Sequence, residues 1–124
     1  MYRFLLVGME SDNYTTLVNA LQAHGSVETS VADSGDGALA GLKDDPVDLV
    51  VAAEKLVDMS GLEFAGKLVV QNPMINCALA SSLDEADFHE ASEGLGILAH
   101  LPLAPDASEA ENLVKKLHLI TGQS

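Results

Sequence analysis

The sequence predicts a single α/β domain: a doubly wound, five-stranded parallel sheet with five helices on its two faces. Short segments typical of strands alternate five times with longer segments whose apolar residues recur at helical spacing. The 124 residues are close to the usual size of one domain, and 48% of them are hydrophobic, which is enough for one core. We therefore assign residues 1–124 to one domain.

The strands are predicted from short apolar or alternating runs. The third run is continuously apolar, as expected of a parallel strand covered on both faces. The second run alternates Val27, Thr29 and Val31, which is typical of a half-buried or edge strand. The predicted strands are Arg3–Val7, Val27–Ala32, Leu49–Ala53, Ile75–Ala80 and Ile97–Leu101. The residues expected to be buried at the centre of the sheet are Val7, Val50, Val51, Leu79 and Ile97.

Each predicted helix follows a strand and carries its apolar residues on one side. The first three are Asn13–His24, Gly35–Lys43 and Gly61–Gln71, and glycine or proline residues follow them. The last two should begin at capping boxes, where a hydroxyl and a carboxylate satisfy free backbone amides. These boxes are Ser82–Glu85 and Ser108–Glu111. The apolar side of the fourth helix is predicted to carry Phe88, Ala91, Ser92 and Leu95, and that of the fifth Ala110, Leu113, Val114 and Leu117.

The charge is strongly negative, with 19 acidic against 6 basic residues and a formal net charge of −13. Such a domain is repelled by nucleic acid and by anionic membranes, whereas a basic protein partner is favoured through faster encounter. The simpler interpretation is that the acids form an ordinary solvated surface. No apolar run is long enough to span a bilayer, and the N-terminal run is too short for a signal peptide. Cys77, the only cysteine, lies in an apolar run, so we predict a reduced core residue in a cytoplasmic protein.

Three stretches, in this order and spacing, resemble the receiver domains of bacterial two-component response regulators, including chemotaxis regulators. They are "HGSVETSVADSGDGALAGLKDDPVDLVV" (24–51), "DLVVAAEKLVDMSGLEF" (48–64) and "EGLGILAHLPLAPD" (93–106). The resemblance covers the chain from about Arg3 to Leu119. It implies a flavodoxin-like sheet with the strand order 2-1-3-4-5, and a role in phosphorelay signal transduction.

Receiver domains use a set of residues that this sequence lacks. In the family, an aspartate at the end of the third strand accepts a phosphoryl group, and an acid pair after the first strand binds Mg²⁺. A hydroxyl after the fourth strand and a lysine after the fifth contact the bound group. At the matching positions this sequence has Gly8, Met9, Ala53, Ala80 and Leu101. The resemblance therefore implies a degenerate phosphorylation pocket, a pseudo-receiver that is not an enzyme and uses no metal or cofactor.

Neighbouring residues offer alternatives for the missing groups. Ser81 would take the hydroxyl position if the match were shifted by one residue. Glu54 or Asp58 could act as a displaced phosphoryl acceptor, and Glu10 with Glu54 as a metal pair. Because adjacent side chains of a strand point in opposite directions, we expect Glu54 to point away from the pocket and favour ordinary solvated acids.

Two further readings come from other functional classes. A small ligand could bind in the apolar remnant of the pocket. Ser81, His100 and Asp58 could form a hydrolase triad, but the chain has no Gly-x-Ser-x-Gly elbow. A hydrogen-bonded histidine on an apolar strand is the simpler interpretation of His100.

The resemblance also implies a partner face made of the fourth helix, the fifth strand and the fifth helix. Leu98 stands at the position where the family has an aromatic residue that relays the signal to this face. The exposed side of the fourth helix is predicted to be acidic, with Glu85, Asp87, Glu90 and Glu93. We therefore expect a protein partner with a basic patch, or a homodimer.

Overall fold

The structure is a computed structural model that describes residues 2–121. Its strands are β1 (Tyr2–Val7), β2 (Val27–Ala32), β3 (Leu49–Ala52), β4 (Asn76–Ala80) and β5 (Ile97–Leu101). Its helices are α1 (Thr15–Ala23), α2 (Gly35–Asp44), α3 (Gly61–Gln71), α4 (Glu85–Ala91) and α5 (Ala107–Thr121), with a 3-10 turn at Asp12–Tyr14 before α1. All paired strands are parallel, in the order β2-β1-β3-β4-β5. The predicted fold class and strand order are confirmed.

Two hydrophobic cores lie on opposite faces of the sheet. On one face α1 and α5 pack on the sheet through leucines such as Leu17 and Leu117. On the other face α2, α3 and α4 contribute Leu42, Phe64 and Phe88. Burying one such side chain stabilises the fold by about 1.5–3 kcal/mol. Within residues 2–121, no helix is both long and apolar enough to cross a membrane.

Most of the residues predicted to lie at the centre of the sheet are fully buried. Val7, Val50, Val51 and Leu79 have almost no exposed surface. Ile97 is only half-buried, so its prediction was wrong. The reason is that β5 is an edge strand, which has a neighbour on one side only. Cys77 is buried as predicted, and its burial raises the pKa of the thiol to about 12.

The helix starts differ from the predicted capping boxes. The side chain of Asp84, not that of Ser82, caps α4, because it accepts the amide of Asp87 at 2.8 Å. Likewise Asp106 accepts the amide of Ser108 at 3.0 Å, one residue after α5 begins. Both chosen caps are aspartates, whose carboxylates are strong acceptors for helix amides.

The buried side of α4 is narrower than predicted. Phe88 and Ser92 are buried and Leu95 is half-buried, but Ala91 is exposed because the helix ends there. The glycines that follow, Gly94 and Gly96, have positive φ angles and turn the chain back into β5. In α5, all four residues predicted to face the core are buried: Ala110, Leu113, Val114 and Leu117.

Candidate functional site

The candidate site lies at the carboxyl ends of the strands, where ligands bind in sheets of this type. The residues at the degenerate positions, Met9, Ala53, Ala80 and Leu101, come from four different strand ends and belong to one hydrophobic cluster. None of the four side chains is more than 7% exposed. The structure therefore brings the predicted positions together in one closed apolar cluster. A small, mostly apolar cavity of about 210 Å³ lies next to Met9, between Leu6, Val18 and Val31.

Gly8 and the loop after β3 lie next to this cluster. Gly8 has a φ of +69°, and a Cβ atom placed on it would lie 2.6 Å from Cδ2 of Leu56. The loop is held in a tight fold by a bond from the amide of Leu56 to the carbonyl of Met59 at 2.8 Å. Leu56 packs against both cores. Its side chain therefore occupies the space that an acidic side chain at Gly8 would need.

Tyr14 is a member of the same cluster that the sequence analysis did not identify. Its ring is buried beside Met9 and the α1 leucines. Burial raises the pKa of its hydroxyl, while a hydrogen bond with the backbone of Glu54 acts in the opposite direction. Tyr14 thus brings the start of α1 into the cluster at the strand ends. The sequence signal that could have predicted this burial is an aromatic residue shortly before Leu17, the first apolar residue of α1.

Glu54 points toward the loop between β4 and α4. Its Oε2 accepts hydrogen bonds from the Ser82 amide at 2.6 Å, the Ser82 hydroxyl at 2.8 Å and the Ser81 hydroxyl at 3.3 Å. The bonds from the amide and hydroxyl of Ser82 lower the pKa of the carboxyl group. The carboxylate is therefore committed to neighbours on the next strand, and the sequence analysis did not anticipate the role of Ser82.

Asp58 is committed in a different direction. Its two carboxylate oxygens accept the backbone amides of Gly35 and Asp36, each at 2.9 Å, at the start of α2. These two bonds lower the pKa of Asp58. Glu10, the third candidate acid, is exposed on the loop after β1. Within residues 2–121, no group of three or more His, Cys, Asp or Glu side chains is arranged to hold a metal ion.

Ser81, His100 and Asp58 do not form a hydrolase triad. The Ser81 hydroxyl donates to Glu54, and Nε2 of His100 lies 3.2 Å from the carbonyl oxygen of Ser81. A nucleophile and its base would need a direct side-chain contact. Ala80 pairs with Leu101 in the sheet register, and Ser81 follows directly after β4.

A cavity of about 590 Å³ lies on the face formed by α4, β5 and α5. The rings of Phe88 and His100 stack in its wall, with centroids 3.9 Å apart and an interplanar angle of 7°. The half-buried side chain of Leu98 also lines it, and so does Lys116 of α5. The acidic residues predicted to be exposed on and just after α4 are all exposed: Glu85, Asp87, Glu90 and Glu93.

No protein-family model matches the sequence, and no curated protein matches it either. Solved structures do match. A response regulator receiver domain protein (CheY-like) from Methanospirillum hungatei JF-1 aligns with a TM-score of 0.83 and 19% identity, over 100% of this chain and 99% of the other. The chemotaxis response regulator CheY4 of Vibrio cholerae aligns with a TM-score of 0.80 and 17% identity, over 94% of this chain and 98% of CheY4.

NtrX from Brucella abortus gives a TM-score of 0.81 and 20% identity over 98% of this chain. The chain spans 28% of the length of that protein. At these identities the likeness carries the architecture and not the activity. The chain has the fold of response regulator receiver domains.

Proposed function

We propose that the chain is a receiver-like signalling module of a bacterial two-component system that acts by protein contact without being phosphorylated. The observation that carries this proposal is the closed apolar cluster of Met9, Ala53, Ala80 and Leu101 at the strand ends. A phosphoryl group brings negative charge, so its transfer needs a nucleophile and cations close by. The cluster supplies neither.

The remaining acids do not favour phosphorylation at a displaced position. Glu54 already accepts three hydrogen bonds, and Asp58 accepts two from the start of α2. Phosphorylating either residue would break these contacts. Because these bonds stabilise the ionised carboxylates, their loss opposes the reaction.

The face formed by α4, β5 and α5 is the proposed partner surface. It combines a cavity, lined by the rings of Phe88 and His100 and by charged side chains such as Glu85 and Lys116, with exposed acids on and just after α4. Desolvated aromatic and aliphatic pockets provide most of the affinity in protein interfaces, while surrounding charges govern encounter and specificity. A partner that places an apolar side chain in the cavity and basic residues beside Glu90 and Glu93 fits this surface.

Phosphoryl incorporation from a small acyl phosphate, with and without Mg²⁺, tests the proposal. A receiver domain that retains its acceptor aspartate serves as the positive control. We expect no incorporation into this chain under conditions that label the control fully. Mg²⁺-dependent labelling would contradict the proposal, and its loss in Glu54→Gln or in Asp58→Asn would identify the acid responsible.

A further inference from the structure

We infer that Glu54 is a positioning residue: it locks the loop between β4 and α4 and, through Ser81 and His100, sets the shape of the cavity on the α4–β5–α5 face. The importance of that cavity for partner binding rests on the proposed function. The lock itself is a property of the chain alone. It consists of three successive contacts between the end of β3 and the cavity wall.

The first contact joins two strand ends. Glu54 follows β3, and its Oε2 binds the amide and hydroxyl of Ser82 and the hydroxyl of Ser81. Hydrogen bonds to an ionised acceptor are shorter and stronger than neutral ones, and the 2.6 Å bond from the Ser82 amide fits this class. Ser82 is exposed and lies two residues before the α4 cap. The amide of Ser81 is already bound by the carbonyl of Leu101 at 3.0 Å, so Glu54 holds the part of the loop that follows Ser81.

The second contact passes through Ser81. Its hydroxyl donates to Glu54 and also accepts the amide of Leu83 at 3.1 Å, so both sides of the hydroxyl are used. Its carbonyl oxygen lies 3.2 Å from Nε2 of His100 on β5. The position of the Ser81 backbone therefore determines where the His100 ring finds its partner.

The third contact reaches the face itself. The His100 ring stacks in parallel on Phe88 of α4, and both rings line the cavity. Phe88 is buried against the core formed by α2 and α3, so it cannot follow a displaced His100 freely. Releasing the loop would separate the two rings and change the cavity wall. The lowered pKa of Glu54 favours its ionised form, which is the form that accepts these bonds.

Amide hydrogen exchange and ring resonances, measured by NMR on the whole chain, test this inference. In Glu54→Ala, we expect the Ser82 amide to exchange at least about tenfold faster, because its acceptor is gone. The ring resonances of Phe88 and His100 should shift, whereas amides of β1 and β2 should keep their protection. Glu10→Ala is the matched control, since Glu10 is exposed and makes no hydrogen bond within residues 2–121.

Two further variants separate charge from packing. Glu54→Gln keeps the side-chain volume but loses the charge, and should give a smaller acceleration in the same direction. Ser81→Ala combined with Ser82→Ala removes both hydroxyl donors and should shift the same two rings. Unchanged Ser82 exchange in Glu54→Ala and Glu54→Gln would overturn the lock. Faster exchange with unmoved rings would overturn its extension to the cavity.

The test is independent of phosphorylation. If the chain became phosphorylated in the presence of Mg²⁺ and a phosphodonor, the proposed function would fail. The exchange rates of the unmodified chain would still show whether Glu54 holds the loop. Conversely, if the chain is not phosphorylated and Ser82 exchange is unchanged in Glu54→Ala, the proposed function stands and the inference about Glu54 fails.

Discussion

Gly8 and Leu56 are so close that a Cβ atom on Gly8 would lie 2.6 Å from Cδ2 of Leu56. The φ of +69° at Gly8 is, in addition, a conformation that side-chain-bearing residues rarely adopt. Restoring an acid at Gly8 therefore requires more than a change of that one residue.

Gly8→Asp should destabilise the protein by about 3 kcal/mol, from backbone strain together with overpacking against Leu56. Gly25→Asp introduces the same charge at a position where a Cβ would meet no atom within 4 Å, and should change stability little. The midpoints of urea denaturation measure the difference. Equal midpoints for the two variants would show that the contact with Leu56 is easily relieved.

Ala53→Asp should cost about 3 kcal/mol or more at neutral pH, because it places a carboxyl group in a site that is 2% exposed. Burial raises the folded-state pKa of that group above its unfolded value, so the variant should lose stability as pH rises above the unfolded pKa. Denaturation at about pH 5 and about pH 8 measures this. Ala104→Asp, in an exposed loop, is the control.

We also expect no phosphorylation of Ala53→Asp, and Mg²⁺-dependent labelling would contradict our description of the cluster.

Glu54 should make stability depend on pH in the acid range. Its pKa is lowered from an ordinary value of 4.5 by the bonds from Ser82. Its contribution is therefore complete above 4.5 and is lost as pH falls through the lower folded-state pKa. As the pH is lowered through this range, the denaturation midpoint should fall less steeply in Glu54→Gln than in the native chain. An unchanged slope in Glu54→Gln would refute the prediction.

Gly61→Ala and Gly66→Ala, both in α3, should have opposite effects. A Cβ on Gly61 would overlap the carbonyl oxygen of Ala53, a backbone atom that cannot rotate away, so we expect a loss of more than about 2 kcal/mol. A Cβ on Gly66 would make an ordinary contact with Leu95 at 3.9 Å, so the better helix propensity should stabilise the protein by up to about 1 kcal/mol. Thermal unfolding of the two variants distinguishes them; stabilisation by Gly61→Ala would contradict the packing described.

The acidic side of α4 should determine the charge of the partner. Once a partner has been isolated, its dissociation constant should rise with salt, because screening weakens attraction between exposed charges. Glu90→Lys with Glu93→Lys should weaken binding by about tenfold or more. Glu10→Lys with Glu63→Lys makes the same charge change at exposed positions outside α4 and serves as the control. Binding that ignores both salt and the α4 pair would place the partner elsewhere.

The sequence by itself determined the architecture. Continuous apolar runs such as Leu49–Ala52 and helical spacing such as that of Gly61–Gln71 are local patterns, and both elements lie where these patterns predicted them. The strand order was predicted through the resemblance to receiver domains, and the absence of acids at Gly8, Met9 and Ala53 is read directly from the sequence.

Only the tertiary structure decided what the remaining polar groups do. Ser82 looked like a helix cap but donates to Glu54, which is 28 residues away, and Asp58 caps a helix that begins 23 residues before it. Leu56 and Tyr14 fill the site from two different loops. A carboxylate or hydroxyl bonds to whichever partner the fold brings within about 3 Å; that partner lies at another strand end for Glu54 and at the start of α2 for Asp58. Spacing along the chain determines elements, whereas these contacts depend on how the elements are assembled.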